Sequence, residues 1–198
     1  MRMSDSDRET AINLADLANE SGDAIGALRI IVTAITNDPT WGLAKVHAAK
    51  YSFAAKLHGD CIKFSDEVIS ARPKSSVGHY YKARALNELG QKEAAIEGYR
   101  RGLLCGSRKQ NDAIYHLGVC LLEMGKFQEA KGVFPSLVVQ CEPGSDQHWY
   151  AISALFKLGL CCMELGQDTE AMEYFTDYLK ENPDCEATLE NMKILKNT

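Results

Sequence analysis

The feature that most constrains this chain is a pattern of small and bulky residues that returns about every 34 residues. A small residue opens the second helix of each predicted pair, at steps of 34, 34, 35 and 41: Ala27, Cys61, Ala95, Ala130 and Ala171. The position four residues later keeps the same steps: Ile31, Ser65, Tyr99, Phe134 and Phe175. A third column lies in the first helix of each pair: Ala15, Ala49, Ala83, Gly118 and Gly159. Three columns in one register predict an array of helix–turn–helix repeats, since one hairpin cannot bury its apolar faces alone.

The predicted fold class is therefore all-α, an α-solenoid of about five helix-turn-helix repeats with a C-terminal capping helix. We expect a single domain over residues 1–198. Its predicted repeats are 8–41, 42–75, 76–110, 111–144 and 145–183, and its capping helix is 184–198.

Local signals place the helix ends within these repeats. Ser6 with Glu9 predicts a capping box for the first helix, Thr40 a cap for the second repeat, and Ser75 or Ser76 a cap for the third. Pro135 falls inside the second helix of repeat four, where a missing N–H either bends the helix or breaks it. The continuing apolar pattern favours the bend.

Composition narrows the function classes. A formal charge of −5 argues against nucleic-acid binding, which needs a basic face. No apolar run reaches the length of a membrane span, and the first ten residues contain no signal-peptide core. The seven cysteines form no CxxC and fall mostly on apolar stripes, which is typical of a reducing compartment. We therefore expect a cytoplasmic protein without membrane insertion.

The sequence contains no recognisable catalytic or metal-binding constellation. Its five histidines are scattered, no HExxH or Cys/His cluster occurs, and the glycines fall at predicted helix turns and tight crossings. Neighbouring acids such as Asp66 and Glu67 point in different directions on a helix. We expect no enzyme activity, cofactor or metal.

Particular motifs resemble the tetratricopeptide (TPR) repeat family over roughly residues 8–183. They are Leu117-Gly118, Leu158-Gly159, the Ala95–Tyr99, Ala130–Phe134 and Ala171–Phe175 pairs, and the closing prolines Pro39, Pro73 and Pro183. Repeat two departs from the family pattern at Cys61 and Ser65 and has Gly59 late in its turn.

The resemblance implies that the first helices line a concave groove that binds a peptide. Transferring the inward-facing positions of the family gives the candidate peptide-binding residues Val46, Lys50, Phe53, Tyr80, Arg84, Asn87, Tyr115, Val119, Leu122, Phe156, Leu160 and Met163. One column among the inward positions is apolar or aromatic: Ile12, Val46, Tyr80, Tyr115 and Phe156. Lys50 and Arg84 add positive charge, whereas Tyr81 and Tyr150 suit packing between helices. The family's carboxylate-clamp pattern is not matched, because Ile12, Asp16, Tyr80 and Arg84 occupy its positions.

These residues favour a non-catalytic protein–protein interaction module, a scaffold or adaptor that binds a protein or peptide partner in the groove. The alternative is a small TPR chaperone that holds an apolar client. Self-assembly into a homo-oligomer is a third hypothesis, and an enzymatic role requires a catalytic domain elsewhere.

Overall fold

A computed structural model describes residues 2–106 and 110–197 of the chain. Within these ranges all regular structure is α-helical, which confirms the predicted fold class. The helices are α1 (Asp5–Glu20), α2 (Ala24–Asn37), α3 (Gly42–Ala54), α4 (His58–Ala71), α5 (Ser76–Glu88), α6 (Lys92–Leu104), α7 (Gln110–Glu123), α8 (Phe127–Val133), α9 (Pro135–Gln140), α10 (His148–Glu164), α11 (Asp168–Glu181) and α12 (Glu186–Asn197).

The helices pair into hairpins, and their number is roughly that of the predicted repeats. The pairs are α1–α2, α3–α4, α5–α6, α7 with α8 and α9, and α10–α11. The residue that turns the chain has a positive φ in every pair: Gly22, Lys56, Gly90, Gly125 and Gly166. Lys56, with φ of 60°, therefore takes the turn position in repeat two, and Gly59 lies inside α4 instead. Repeat three is predicted to end at residue 110, and residues 107–109 within it lie outside the described residues.

The chain divides into two compact units, residues 1–109 and 110–198. The first unit contains α1–α6, and a core cluster of its first two repeats includes Ile31, Trp41 and Tyr51. The second unit contains α7–α12, and one of its core clusters is formed by Cys162, Ala171 and Phe175. The expectation of one domain over residues 1–198 stays a prediction.

The small and bulky columns explain how each hairpin packs. In repeats four and five the Phe134 and Phe175 rings are fully buried against Gly118 and Gly159. A Cβ at Gly118 would lie 2.5 Å from the Phe134 ring, and one at Gly159 would lie 2.4 Å from Phe175. The glycine in the first helix thus makes room for the aromatic ring of the second.

Two of the predicted helix caps are wrong by a few residues. Ser4 caps α1 instead of Ser6, accepting a hydrogen bond from the Asp7 N–H at 3.2 Å. The N-cap of α3 is Trp41, which makes no capping hydrogen bond with its side chain. Thr40 does not cap this helix; its hydroxyl donates to Asp38 at 2.7 Å. Ser75 caps α5 by accepting from the Gly78 N–H, as predicted.

Pro135 interrupts the second helix of repeat four without ending the repeat. α8 ends at Val133 and α9 begins at Pro135, while Phe134 between them keeps right-handed helical angles. Both helices pack against α10. In unit two, α12 acts as the predicted capping helix, since its Met192 and Leu195 pack against the core of α10 and α11.

Candidate binding faces

In the first unit, α3 and α5 present the predicted residues Val46, Lys50, Phe53, Arg84 and Asn87, here called the first-unit face. All five side chains are half-buried, so part of each is accessible to a partner. The sixth predicted residue, Tyr80, is an exception. Its side chain is only 1% exposed, with its ring 5.2 Å from that of Tyr81 and 6.3 Å from that of Tyr99.

The prediction that Tyr80 contacts a partner assumed an accessible ring. That assumption is wrong, because the side chain is almost fully buried. Helical spacing puts Tyr80 on the correct stripe, but Tyr99 from α6 and Tyr81 enclose it. Tyr81 and Tyr150 are buried as expected. Tyr80 instead supports the face from below, because its hydroxyl accepts a hydrogen bond from Arg84 at 3.3 Å.

Arg84 is the central charged residue of the first-unit face. Its guanidinium lies 4.1 Å from the centroid of the Phe53 ring, which is cation–π geometry. Phe53 lies on α3 and Arg84 on α5, so this contact joins two repeats. Arg84 forms no ion pair with a carboxylate in residues 2–106 or 110–197. A stacked guanidinium keeps its N–H edge available for an anion.

Lys50 differs from Arg84, because a neighbouring carboxylate already pairs with it. Its ammonium donates to Asp16 at 2.6 Å, and the Tyr51 hydroxyl donates to the same oxygen at 2.8 Å. Burial disfavours the charged carboxyl, but these two hydrogen bonds outweigh it and lower the pKa of Asp16. Asp16 therefore offsets the positive charge that Lys50 was expected to add to the groove, and the ion pair joins α1 to α3. A role of Lys50 in peptide binding stays a prediction.

In the second unit, α7 and α10 carry the other predicted residues, here called the second-unit face: Tyr115, Val119, Leu122, Phe156, Leu160 and Met163. All six are half-buried. Phe156, Leu160 and Met163 pack against the Cys162, Ala171 and Phe175 core, and the Phe156 ring lies 5.2 Å from that of Tyr178. Burial raises the pKa of Tyr115, against a smaller opposing effect of its hydrogen bond with Ser153.

Trp149 joins the second-unit face although the sequence reasoning did not select it. Its side chain is 47% exposed, its ring stacks on Tyr150 at 3.8 Å, and its centroid lies 5.3 Å from that of Tyr115 in an edge-to-face arrangement. The Tyr150 hydroxyl donates to Asp112 on α7, which holds the start of α10 against that helix. Trp149 precedes the inward-facing positions of repeat five, so the repeat periodicity could not identify it. The only sequence features that set it apart are its size and its position beside a loop.

Comparisons with known proteins agree with this architecture. Tetratricopeptide repeat family models match residues 112–140 and 152–185. A crystal structure of MamA superposes with a TM-score of 0.73 at 24% identity, over 85% of this chain and 94% of that one. The chain contains tetratricopeptide repeats.

Other solved structures resemble this TPR protein at a similar level. The structure of YrrB, described as a TPR protein with an unusual peptide-binding site, has a TM-score of 0.72 at 20% identity, over 92% of this chain and 90% of that one. A tetratricopeptide repeat protein from Parabacteroides merdae has a TM-score of 0.73 at 16% identity, over 96% and 72% of the two chains. No curated protein sequence matches significantly. At these identities the similarity establishes the fold alone.

Histidine, cysteine and acidic side chains are the groups that could bind a metal ion, and cysteines could also act as nucleophiles. No group of three or more His, Cys, Asp or Glu residues in the described ranges could hold a metal ion. The seven cysteines are free thiols, and burial raises the pKa of Cys61 to about 12 and that of Cys161 to about 11, which makes both poor nucleophiles. No helix in residues 2–106 or 110–197 is long and apolar enough to cross a bilayer.

Proposed function

We propose that this TPR protein is a non-catalytic interaction module whose first-unit and second-unit faces bind a peptide or partner segment. The TPR fold is a protein-interaction module, which supports this class of function. The observation that carries the proposal is Arg84, half-buried on the first-unit face, stacked on Phe53 and without a carboxylate partner in the described ranges.

Arg84 suits an acidic side chain or a terminal carboxylate of the partner. The Phe53 ring and the Tyr80 hydroxyl hold the guanidinium in place, so little side-chain entropy is lost when a carboxylate binds. A charge-assisted hydrogen bond of this kind contributes about 1.5–3 kcal/mol.

The second-unit face suits an apolar or aromatic segment. Tyr115 and the 47%-exposed Trp149 provide rigid ring surface, and Val119, Leu122 and Leu160 are apolar neighbours on α7 and α10. Aromatic anchors of this type dominate many interfaces. YrrB, described as having an unusual peptide-binding site, is an example of a peptide-binding protein with the same fold.

The test is affinity capture from native lysate with wild-type protein and an Arg84→Gln, Tyr115→Ala double variant. Both residues are partly accessible, so circular dichroism should show unchanged helicity. We expect captured partners to bind the variant more weakly by about 2–4 kcal/mol. The control is Lys63→Gln with Val139→Ala, two exposed positions on the second helices α4 and α9. Equal capture by the double variant and the control would refute the proposal.

The chaperone function stays an alternative prediction within the same proposal. A holding chaperone needs a broad apolar surface, whereas Arg84 favours recognition of a particular charged group. Suppression of aggregation of a purified apolar client at a stoichiometric ratio, equally by wild type and Arg84→Gln, would favour the chaperone. Homo-oligomer formation and a cytoplasmic location likewise stay predictions.

A further inference from the structure

The groove between α1 and α2 is a second apolar surface, separate from both proposed binding faces. It has a volume of about 380 Å³ and is lined by Thr10, Leu14 and Ile30 among others. Leu14 is 52% exposed and the neighbouring Leu17 is 64% exposed, although both belong to an otherwise well-packed repeat. These leucines follow a different stripe of α1 from Ile12 and Asp16, the inward positions of the same helix.

In the next two repeats the counterparts of Thr10, Leu14 and Leu17 are buried, except for Lys82, the half-buried counterpart of Leu14 in repeat three. Leu17 corresponds, at steps of 34 residues, to Tyr51 and Ala85, which are both fully buried. Thr10 is exposed, but its counterparts Ala44 and Gly78 are buried. The surface that is largely buried in repeats two and three is therefore exposed in repeat one.

An α-helix provides the cover in those repeats. α2 packs on α3, and α4 packs on α5. A Cβ at Gly78 would lie 3.0 Å from Ile69 and 3.1 Å from Val68, so an apolar stripe of α4 rests directly on this position. Because the repeat-to-repeat interface continues in the α1–α2 groove, the occupant that fits it is another helix with an apolar stripe.

The net charge of residues 1–38 indicates which kind of partner helix would fit the groove. Residues 1–38 contain seven of the chain's acidic side chains and three of its arginines, and thus −4 of its formal charge of −5. Arg8 is already paired with Asp38 at 2.5 Å, and Asp16 with Lys50 at 2.6 Å. Arg29 lines the groove and is exposed, but the exposed carboxylates around the helix pair outnumber it: Asp7, Glu9, Glu20 and Asp23. A second copy of this surface would bring like charges together, while a basic helix would meet opposite charge.

We infer that the α1–α2 groove binds a basic amphipathic α-helix of a partner protein. The apolar stripe of that helix covers Leu14 and Leu17, and its lysine or arginine side chains face the surrounding carboxylates. This site is independent of the first-unit and second-unit faces. A single molecule of the TPR protein can therefore bind the basic helix and a segment on either face at the same time.

The experiment measures binding of a labelled helical peptide of about 18 residues, with leucines at i, i+3, i+4 and i+7 and lysines elsewhere, by fluorescence anisotropy. A second peptide carries glutamate in place of every lysine, and a third has the same composition with the leucines scrambled around the helix. We expect the lysine peptide to bind at least about tenfold more tightly than either of the others, and added salt to weaken it.

Protein variants locate the binding. Leu14→Ala with Leu17→Ala should weaken the lysine peptide at least about tenfold, because two exposed apolar anchors are lost without disturbing the core. Leu89→Ala with Leu104→Ala removes two exposed leucines elsewhere in the first unit and should leave the affinity unchanged. Arg84→Gln should also leave it unchanged, which separates this result from the test of the first-unit face.

Three outcomes would overturn the inference. They are tight binding of the glutamate peptide, full affinity in the Leu14, Leu17 variant, and a concentration-dependent dimer of the wild type that this variant abolishes. The last result would assign the groove to a second copy of the chain.

Discussion

Asp38 has an environment very different from that of a free side chain. It closes the first repeat and is 1% exposed, yet it is a carboxylate. The Arg8 guanidinium donates to it at 2.5 Å and the Thr40 hydroxyl at 2.7 Å, and these hydrogen bonds hold the pKa of Asp38 at about 2. The Arg8 guanidinium also lies 5.7 Å from the centroid of the Trp41 ring, so Arg8 connects α1 both to Asp38 and to the start of α3.

This lowered pKa predicts an acid-sensitive contribution to stability. The carboxyl of an unfolded chain titrates near pH 4, so folding is favoured above that pH, and the contribution is lost as the pH falls towards 2. Melting temperatures of wild type and Asp38→Asn should differ most at pH 6 and converge by about pH 2. A difference that stays constant across this range would show that the carboxylate charge contributes nothing.

Tyr80 and Lys50 show what sequence reasoning can and cannot predict at single residues. The 34-residue register correctly put both on the first helices. It could not predict that Tyr99 and Tyr81 enclose Tyr80, or that Asp16 pairs with Lys50, since both depend on side chains from other helices. Arg84 differs from Lys50 in its neighbour, since it stacks on the Phe53 ring and Lys50 pairs with a carboxylate.

At the scale of the helices, the fold follows almost entirely from two sequence signals. The small and bulky columns set which faces meet, and the turn positions set where each hairpin reverses. Repeat two is instructive, because Lys56 adopts the left-handed conformation that glycine adopts in the other turns. The sequence analysis expected Gly59 in this turn, which was wrong, because the chain reverses three residues earlier and Gly59 lies in α4. The helix ends were less predictable, since Ser4 and Ser6 are both capable caps.

Gly118 and Gly132 allow a test of the small and bulky columns within one repeat. Alanine at Gly118 must displace the buried Phe134 ring, which should lower the free energy of unfolding by about 1–2 kcal/mol even after the gain in helix propensity. Gly132 in α8 has open space around it, so alanine there should be neutral or stabilise by up to about 1 kcal/mol. Urea unfolding monitored by circular dichroism measures both. Equal stability of the two variants would mean that the glycine does not make room for the ring.

On the scale of the whole molecule, the fold was predictable, and the accessible residues of the two proposed faces were only partly so. A repeat register identifies which helix faces a groove, because it depends on local spacing. It misses Trp149, which lies at the start of α10 and is positioned by the stacking of its ring on Tyr150. It also gives no sign of the α1–α2 groove, since apolar residues such as Leu14 and Leu17 look like core residues until their exposure is known.

The central claim is that partners bind the faces formed by the first helices. The most direct measurement replaces Val46 or Leu160, one on each face, with a photoreactive amino acid, and irradiates the protein in native lysate. Val139 on α9, which is 83% exposed, is the control position. We predict covalent adducts with partner proteins at positions 46 and 160 and none at 139. Adducts at 139 alone, or equal adducts at all three positions, would contradict the claim.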